Sequence, residues 1–217
     1  MADVTILYKG SNIVELNDSA TKTLFTQGKY CEDNITIDYV KPSGGVEGQT
    51  LDDCISRQLY GIIKTNAPKI GDYAIYLNSY NTTDKWLDSL IAYEATELGV
   101  YGMGQNYSAS VSKPILKTIV FCKLQKIDAA AFLGNRETQN IVILTPTVCA
   151  LTNANAFSQV GTSFGGYKVY VPQNLLSTYQ SATNWSSISN NIVSIEDNRT
   201  LLEAEFQRIG FEYDWGN

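Results

Sequence analysis

The sequence contains no histidine. That removes the side chain that most often serves as a general base near neutral pH, and with it most nucleophile–base–acid triads. Cysteine is sparse: Cys31, Cys54, Cys122 and Cys149 stand far apart and form no CxxC pair. Without histidine, a zinc site would need all four thiolates in one place. Basic residues are scattered and the formal net charge is -6, so the concentrated positive patch that binds nucleic acid is absent. No apolar run approaches the roughly 20 residues needed to cross a membrane, and Met1-Ala2-Asp3-Val4-Thr5 lacks the basic start and apolar stretch of a signal peptide. Neither a membrane insertion nor a nucleic-acid partner is expected.

What the chain has in quantity is tyrosine, asparagine, serine and threonine, with 14 Tyr and a hydrophobic share of 44 %. Such a composition supports a packed core and favours strands and turns over long helices. Residues 1–41 are expected to form a small antiparallel β module. Val4, Ile6 and Tyr8 alternate with polar neighbours, Lys9-Gly10-Ser11-Asn12 offers a turn, and Asn34 to Tyr39 alternate again. Residues 42–49, containing Pro42-Ser43-Gly44-Gly45, read as a linker. Thr50-Leu51-Asp52-Asp53 has the form of a helix start, with the helix ending near Gly61.

An internal repeat follows. Leu59-x-x-Ile62, Leu87-x-x-Leu90, Leu116-x-x-Ile119 and Thr138-x-x-Ile141 begin successive units 28, 29 and 22 residues apart. Ile62, Leu90 and Ile119 are followed eight residues on by Ile70, Leu98 and Ile127, and thirteen on by Ile75, Met103 and Phe132. The spacing predicts a stacked solenoid over residues 50–197, in which each unit buries its face only against its neighbours. Residues 166–195 are expected to close it, with a strand at Tyr167–Val171 stopped by Pro172, a short helix at 174–179, Trp185 as a core plug and a last strand at Ile192–Ile195. Residues 198–217 form a separate tail. Thr200-x-x-Glu203 has the capping-box pattern, Leu202, Phe206 and Ile209 share a helical face, and Phe211, Tyr213 and Trp215 alternate like a strand.

Two stretches resemble known sequences. Ile127-x-x-x-Ala131-Phe132, Ala156-Phe157 and the ending Val169-Tyr170-Val171-Pro172…Tyr179-Gln180-Ser181-Ala182-Thr183-Asn184-Trp185 resemble the BspA-type leucine-rich repeat. Gly102-Met103 departs from it where Ala-Phe is usual. Thr21-Lys22-Thr23-Leu24…Gly28-Lys29-Tyr30-Cys31-Glu32-Asp33-Asn34-Ile35 is similar to the N-terminal module that precedes such repeats in proteins from phages and prophages of gut Firmicutes. The resemblance implies a mainly β protein with short helices: the N-terminal antiparallel module, a BspA-type leucine-rich-repeat solenoid and a C-terminal tail. It also implies binding to protein or glycan, and no catalytic residues.

The expected function is that of a non-enzymatic bacteriophage virion protein, in a tail, baseplate, fibre or capsid-surface position. Its partners would be other virion proteins, further copies of itself as a homo-oligomer and, in host attachment, a cell-surface protein or glycan. The alternative is a bacterial cell-surface adhesin or protein/glycan-binding module. No cofactor or metal is expected. The acids Asp72, Asp84, Asp88 and Asp128 lack any calcium-loop spacing, and Asp52/Asp53, Glu94/Glu97 and Glu203/Glu205 read as helix-start, turn and surface acids rather than a glycosidase pair. Gly99-x-x-Gly102-x-Gly104 lacks the lysine of a phosphate loop and reads as a turn. The binding candidates are Tyr76, Tyr80, Trp86, Tyr93, Tyr101 and Tyr107, because exposed aromatics give stiff contact area. The assembly candidates are Phe206, Phe211, Tyr213 and Trp215, which either fold back or dock onto a partner as an added strand.

Overall fold

A computed structural model describes residues 4–6, 35–37, 61–65, 69–72, 77–78, 87–106, 116–163 and 165–216. Eight strands form one large sheet in chain order: β1 (Val4–Ile6), β2 (Ile35–Ile37), β3 (Gly61–Thr65), then β6 (Leu87–Ala92), β9 (Thr118–Phe121), β11 (Asn140–Ile143), β13 (Lys168–Val171) and β14 (Ile192–Ser194). Between visits to it the chain crosses a second sheet through β4 (Lys69–Ile70), β7 (Glu97–Leu98), β10 (Lys126–Ile127) and β12 (Ala150–Leu151). A third, two-stranded sheet pairs β5 (Leu77–Asn78) with β8 (Gln105–Asn106). Every pairing among the described residues is parallel. Parallel strands cannot be joined by a tight turn, so each return costs a long crossover, and from β3 to β13 a strand of the second sheet lies within it.

This overturns the expected fold class. Val4–Ile6 pairs with Ile35–Ile37 in parallel, so the N-terminal strands are not an antiparallel module but continue the large sheet. Alternation of apolar and polar residues is the same for either direction of pairing, so the pattern misled. A leucine-rich-repeat solenoid followed by a separate tail is overturned too. Helix α1 (Leu176–Ser181) lies between β13 and β14, and helix α2 (Arg199–Ile209), from the tail, packs on the outer face of the large sheet. The result is an α/β-like layering of parallel sheets with a few helices. The proposed turn at 9–12, linker at 42–49 and helix start at 50–53 lie outside the described residues.

The strand sequences fit burial on two faces. Thr-Ile-Val-Phe in β9 is buried at all four positions, and Asn-Ile-Val-Ile in β11 and Lys-Val-Tyr-Val in β13 at three each. Continuous β-branched runs of this kind belong to covered parallel sheets. Leu90, Ile119, Ile141, Val169 and Ile192 stand in register and point into the main core, which also holds Phe121, Phe132, Phe157, Tyr179 and Trp185. Ile91, Val120, Val142 and Tyr170 point outward, where Leu202, Phe206 and Ile209 of α2 cover them. In the second sheet Ile70, Leu98, Ile127 and Leu151 face the core, while Lys69, Glu97, Lys126 and Ala150 stand in register on the other side. The ion pair Lys69–Glu97 spans 3.2 Å there and, being well exposed, contributes little.

The 28- and 29-residue spacings thus reappear as register, with one exception. A shift in register between Gly61 and Ile62 sets Ile63, not Ile62, opposite Leu90. Ile62 packs instead towards the outer-face cluster. Gly99 makes the closest approach between neighbouring circuits: a Cβ there would sit 2.4 Å from Asp72 Oδ1 and 2.7 Å from Asp72 N. Gly99 N donates to Ile70 O at 2.8 Å, and Val100 N donates to Asp72 Oδ1 at 2.8 Å. The glycine motif is a packing turn.

A second recurrence has no counterpart in residue type. Tyr101, Ala130 and Gln159 follow one another at 29-residue intervals, and all three adopt positive φ, of 51°, 55° and 62°. Non-glycine residues pay about 1–3 kcal/mol for that conformation. Asn155 Oδ1 accepts from Ala130 N at 3.0 Å and helps hold the middle one.

The C-terminal elements lie close to their expected places. The strand at Tyr167–Val171 spans Lys168–Val171, and the helix is a 3-10 turn at Gln173–Leu175 running into α1. Trp185 is 1 % exposed, and the last strand is Ile192–Ser194. Thr200 does not cap α2. A 3-10 turn at Glu196–Asn198 leads the chain in, Asn198 takes the N-cap position, and Glu203 pairs with Arg199 at 2.7 Å. Residues 211–216 belong to no strand.

Replacing exposed Gln159 with glycine relieves its left-handed backbone, and a rise in melting temperature equivalent to roughly 0.5–1 kcal/mol is expected. Phe132→Ala, at a fully buried ring, is expected to cost about 3–5 kcal/mol in the same thermal unfolding measurement.

Candidate interaction surfaces

Of the six aromatic binding candidates, Tyr76, Tyr80, Trp86 and Tyr107 lie outside the described residues. Tyr93 is half-buried beside the outer-face cluster, its ring 6.1 Å from that of Phe211. Burial raises its phenol pKa, and the charges of Cys122 and Glu212 push the same way. Tyr101 occupies the left-handed turn after β7. The two that are described therefore serve different parts of the fold.

The tail aromatics fold back. Phe206 lies at the centre of them, with Phe211, Tyr213 and Trp215 at 5.0, 5.9 and 5.9 Å. Tyr213 and Trp215 meet edge to face at 4.8 Å, and the Arg199 guanidinium lies 5.2 Å from the Trp215 ring centre. Gly210, at φ 62°, reverses the chain after α2, and Phe211 N donates to Phe206 O at 2.9 Å. These rings are occupied within their own chain rather than presented as an added strand.

A polar clamp fixes α2 along the sheet. Ser89, Thr118 and Asn140 stand in register on β6, β9 and β11. Arg208 donates through Nε and Nη2 to the two oxygens of Glu205 at 2.8 and 2.7 Å, and through Nη2 to Ser89 Oγ at 3.2 Å. Thr118 Oγ1 donates to Glu205 Oε1. Asn140 Nδ2 donates to Thr118 Oγ1 at 3.1 Å, and Tyr170 OH donates to Asn140 Oδ1 at 3.2 Å. Burial would raise the Glu205 carboxyl, but the hydrogen bonds from Arg208 and Thr118, with the charges of Arg208 and Lys117, carry it below the usual range.

At the other extreme of the molecule both main sheets end in sealed edges. In β12, Ala150 N and Thr152 N donate towards β10, so the polar groups of Cys149 and Leu151 point away from the sheet. Cys149 N donates to Tyr179 OH at 2.9 Å, Trp185 Nε1 donates to Cys149 O at 2.7 Å, and Asn184 Nδ2 donates to Leu151 O at 2.7 Å. In β14, Ile195 N donates to Val171 O, so Ile192 and Ser194 face outward. Gln180 Nε2 reaches Ile192 O at 3.2 Å and Asn198 Nδ2 reaches Ser194 O at 2.8 Å. Five side chains thus occupy groups that would otherwise pair with a further strand. The sequence signal is a run of amides and aromatics just after the last repeats, in which the apolar pattern marks Trp185 alone as structural.

The remaining chemistry-bearing groups are accounted for locally. Glu94 pairs with Lys123 at 2.6 Å, and Glu205 with Arg208 at 2.7 Å. Asp128 pairs with Lys126 at 3.0 Å. Asp84 and the side chain of Asp88 lie outside the described residues, as do Asp52 and Asp53. Among the described residues no three ligating side chains gather as a metal site, and no helix is long and apolar enough to cross a membrane. Cys122 and Cys149 are free thiols, which burial raises to about 11 and about 12 respectively. Cys31 and Cys54 lie outside the described residues. No protein-family model, curated protein or solved structure matches the chain.

Tyr179→Phe leaves the Cys149 N–H buried and unpaired, and a loss of about 1–3 kcal/mol in denaturant unfolding is expected. For Glu205 the folded-state pKa is depressed. Its stabilisation is therefore complete above the ordinary glutamate pKa of about 4.3 and is lost as pH falls through the folded value. Glu205→Gln should lower the melting temperature at pH 7 and narrow the gap between melts at pH 7 and pH 3. An unchanged gap would show that other groups govern the acid response.

Proposed function

We propose that the chain is a non-enzymatic structural protein of a bacteriophage particle that also contributes to host attachment. The observation that carries this reading is the polarity of the sheets. Among the described residues the large sheet begins at β1, within the segment that contains the phage-like Thr21…Ile35 motif, and ends at β14, where side chains occupy the outward carbonyls. Joining to another particle protein by strand addition then falls to the β1 side, because the other end offers no free ladder. The opposite end is left to face outward on a rigid backing of buried aromatic rings.

Cover by α2 supports the same reading. A sheet that is apolar on both sides would aggregate if its outer face were bare, and the folded-back tail allows the protein to exist before it joins a particle. The partners proposed are other virion proteins, further copies of this chain, and a protein or glycan of the host surface.

Fractionation of induced, phage-producing cells tests the proposal. The chain is expected to co-sediment with purified particles and to remain with them through a density gradient. Recovery only in the soluble fraction of the lysed cells overturns it. Recovery in the cell envelope of uninduced bacteria would favour the surface-adhesin alternative. Light scattering adds a second reading: removal of residues 199–217 bares Ile91, Val120, Val142 and Tyr170, and a rise in mass above that of the full chain is expected.

A further inference from the structure

The chain has 16 basic and 22 acidic residues, yet residues 138–195 contain a single charged one, Lys168. Its ammonium is engaged, donating to Asn190 O at 3.1 Å. On the end cap formed by residues 172–191 the depletion is complete: every exposed residue between Gln173 and Asn190 is Ser, Thr, Asn or Gln. A surface that serves solubility alone carries charge at roughly a quarter to a third of its positions. Loss of charge with retention of hydroxyls and amides is shared with antibody-like contact surfaces, where Ser and Asn supply adaptable hydrogen bonds.

The backing is stiff. Tyr179 and Trp185 are fully buried beneath the cap and are tied to the backbone of Cys149 from both sides. Ser181 Oγ donates to Ser177 O at 2.9 Å and Ser187 Oγ donates to Asn184 O at 2.6 Å, which orients those hydroxyl oxygens with lone pairs outward as acceptors. Three kinds of partner do not fit. An added strand finds the edge carbonyls taken. An ionic partner finds one charge of each sign at the rim, and both are engaged, Lys168 on Asn190 O at 3.1 Å and Glu196 on Gln173 N at 2.8 Å. An apolar protein patch finds no large exposed hydrophobic, since the one among the described residues, Leu201, is on α2. What remains complementary is an uncharged ligand dense in hydroxyl groups.

We propose that the end cap, through residues such as Ser177, Thr178, Thr183, Ser187 and Asn190, is a docking surface for a neutral polysaccharide. This names a ligand class for the attachment role proposed above and rests on it. Neutral sugars exchange hydrogen bonds with hydroxyl and amide side chains without the desolvation cost of burying a charge.

The test is affinity electrophoresis of the full chain through native gels containing starch, mannan, galactan or dextran, with dextran sulfate as the charged control, beside binding of labelled chain to whole host cells. Retardation by at least one neutral polymer is expected, unchanged between low and high salt. Thr183→Glu/Ser187→Glu should weaken it by roughly tenfold, because each carboxylate would be desolvated without a partner. Leu201→Glu, on α2, should leave it unaltered, and equal melting temperatures would show that all three proteins are folded. The inference is overturned by no retardation by any neutral polymer, by equal retardation of the double variant, by retention abolished by salt, or by cell binding that protease treatment of the cells removes. Cell binding that neutral polymers do not compete away removes the ligand class and keeps attachment. Absence of binding to cells removes attachment itself.

Discussion

Parallel pairing is the constraint on which the rest depends. A strand that must lie beside its predecessor in the same direction obliges the chain to travel back before pairing again. From β3 to β13 that return runs through a second sheet whose strands are only two residues long. The circuit therefore has two ladders, and a residue placed in one is repeated one circuit later at the same height. Leu90, Ile119 and Ile141 in one ladder and Ile70, Leu98 and Ile127 in the other are aligned for that reason. The core is shared: Phe121 meets Phe132 at 6.2 Å, Phe132 meets Phe157 at 5.2 Å, and Phe157 meets Trp185 at 5.5 Å. A substitution in one circuit is consequently felt by the next.

The same constraint explains what could be read from the residues and what could not. Spacing of apolar residues carried the register, because the ladder positions that face the main core take apolar side chains. Direction of pairing was invisible, since Val4-Thr5-Ile6 and Ile35-Thr36-Ile37 alternate identically in either sense. The left-handed residues Tyr101, Ala130 and Gln159 were invisible as well. Backbone sterics favour glycine or asparagine there, yet the circuit imposes the turn on three unrelated side chains. The one-residue displacement of Ile62 could not be foreseen, because the extra residue in the register shift leaves no mark on composition. Aromatic type alone does not fix position: the binding candidate Tyr93 packs with the assembly candidates Phe211 and Phe206, as aromatic residues usually do when a face is available.

Sheets built this way have two ends, and an end is a hazard, since its unpaired groups invite another strand. The solution at β12 and β14 is side-chain mimicry of a strand. Gln180, Asn184 and Asn198 contribute amide donors, Trp185 an indole donor and Tyr179 an oxygen acceptor. None can be extended by a following residue, so pairing stops. Asn184 reaches its carbonyl from a backbone at φ 65°, a conformation asparagine tolerates better than most residues. The requirement for donors and acceptors at this end also accounts for part of its amide-rich composition. It does not account for the exposed hydroxyls that lie outside the seal.

Cover and clamp divide their work on the outer face. Leu202, Phe206, Ile209 and Phe211 are buried against the sheet, and each such side chain is worth about 1.5–3 kcal/mol. A partly exposed ion pair such as Glu205–Arg208 contributes at most about 1 kcal/mol. Apolar contact therefore holds α2 in place, whereas the hydrogen bonds of Glu205 and Arg208 to Thr118 and Ser89 decide where along the strands it sits. A helix on a flat apolar face can slide by a turn at little cost in buried area. Fixing it against polar side chains on two neighbouring strands removes that freedom. Protonation of Glu205 would then loosen the register of the helix before it loosens its attachment, and the apolar sheet would stay covered through the acid range in which the clamp is lost.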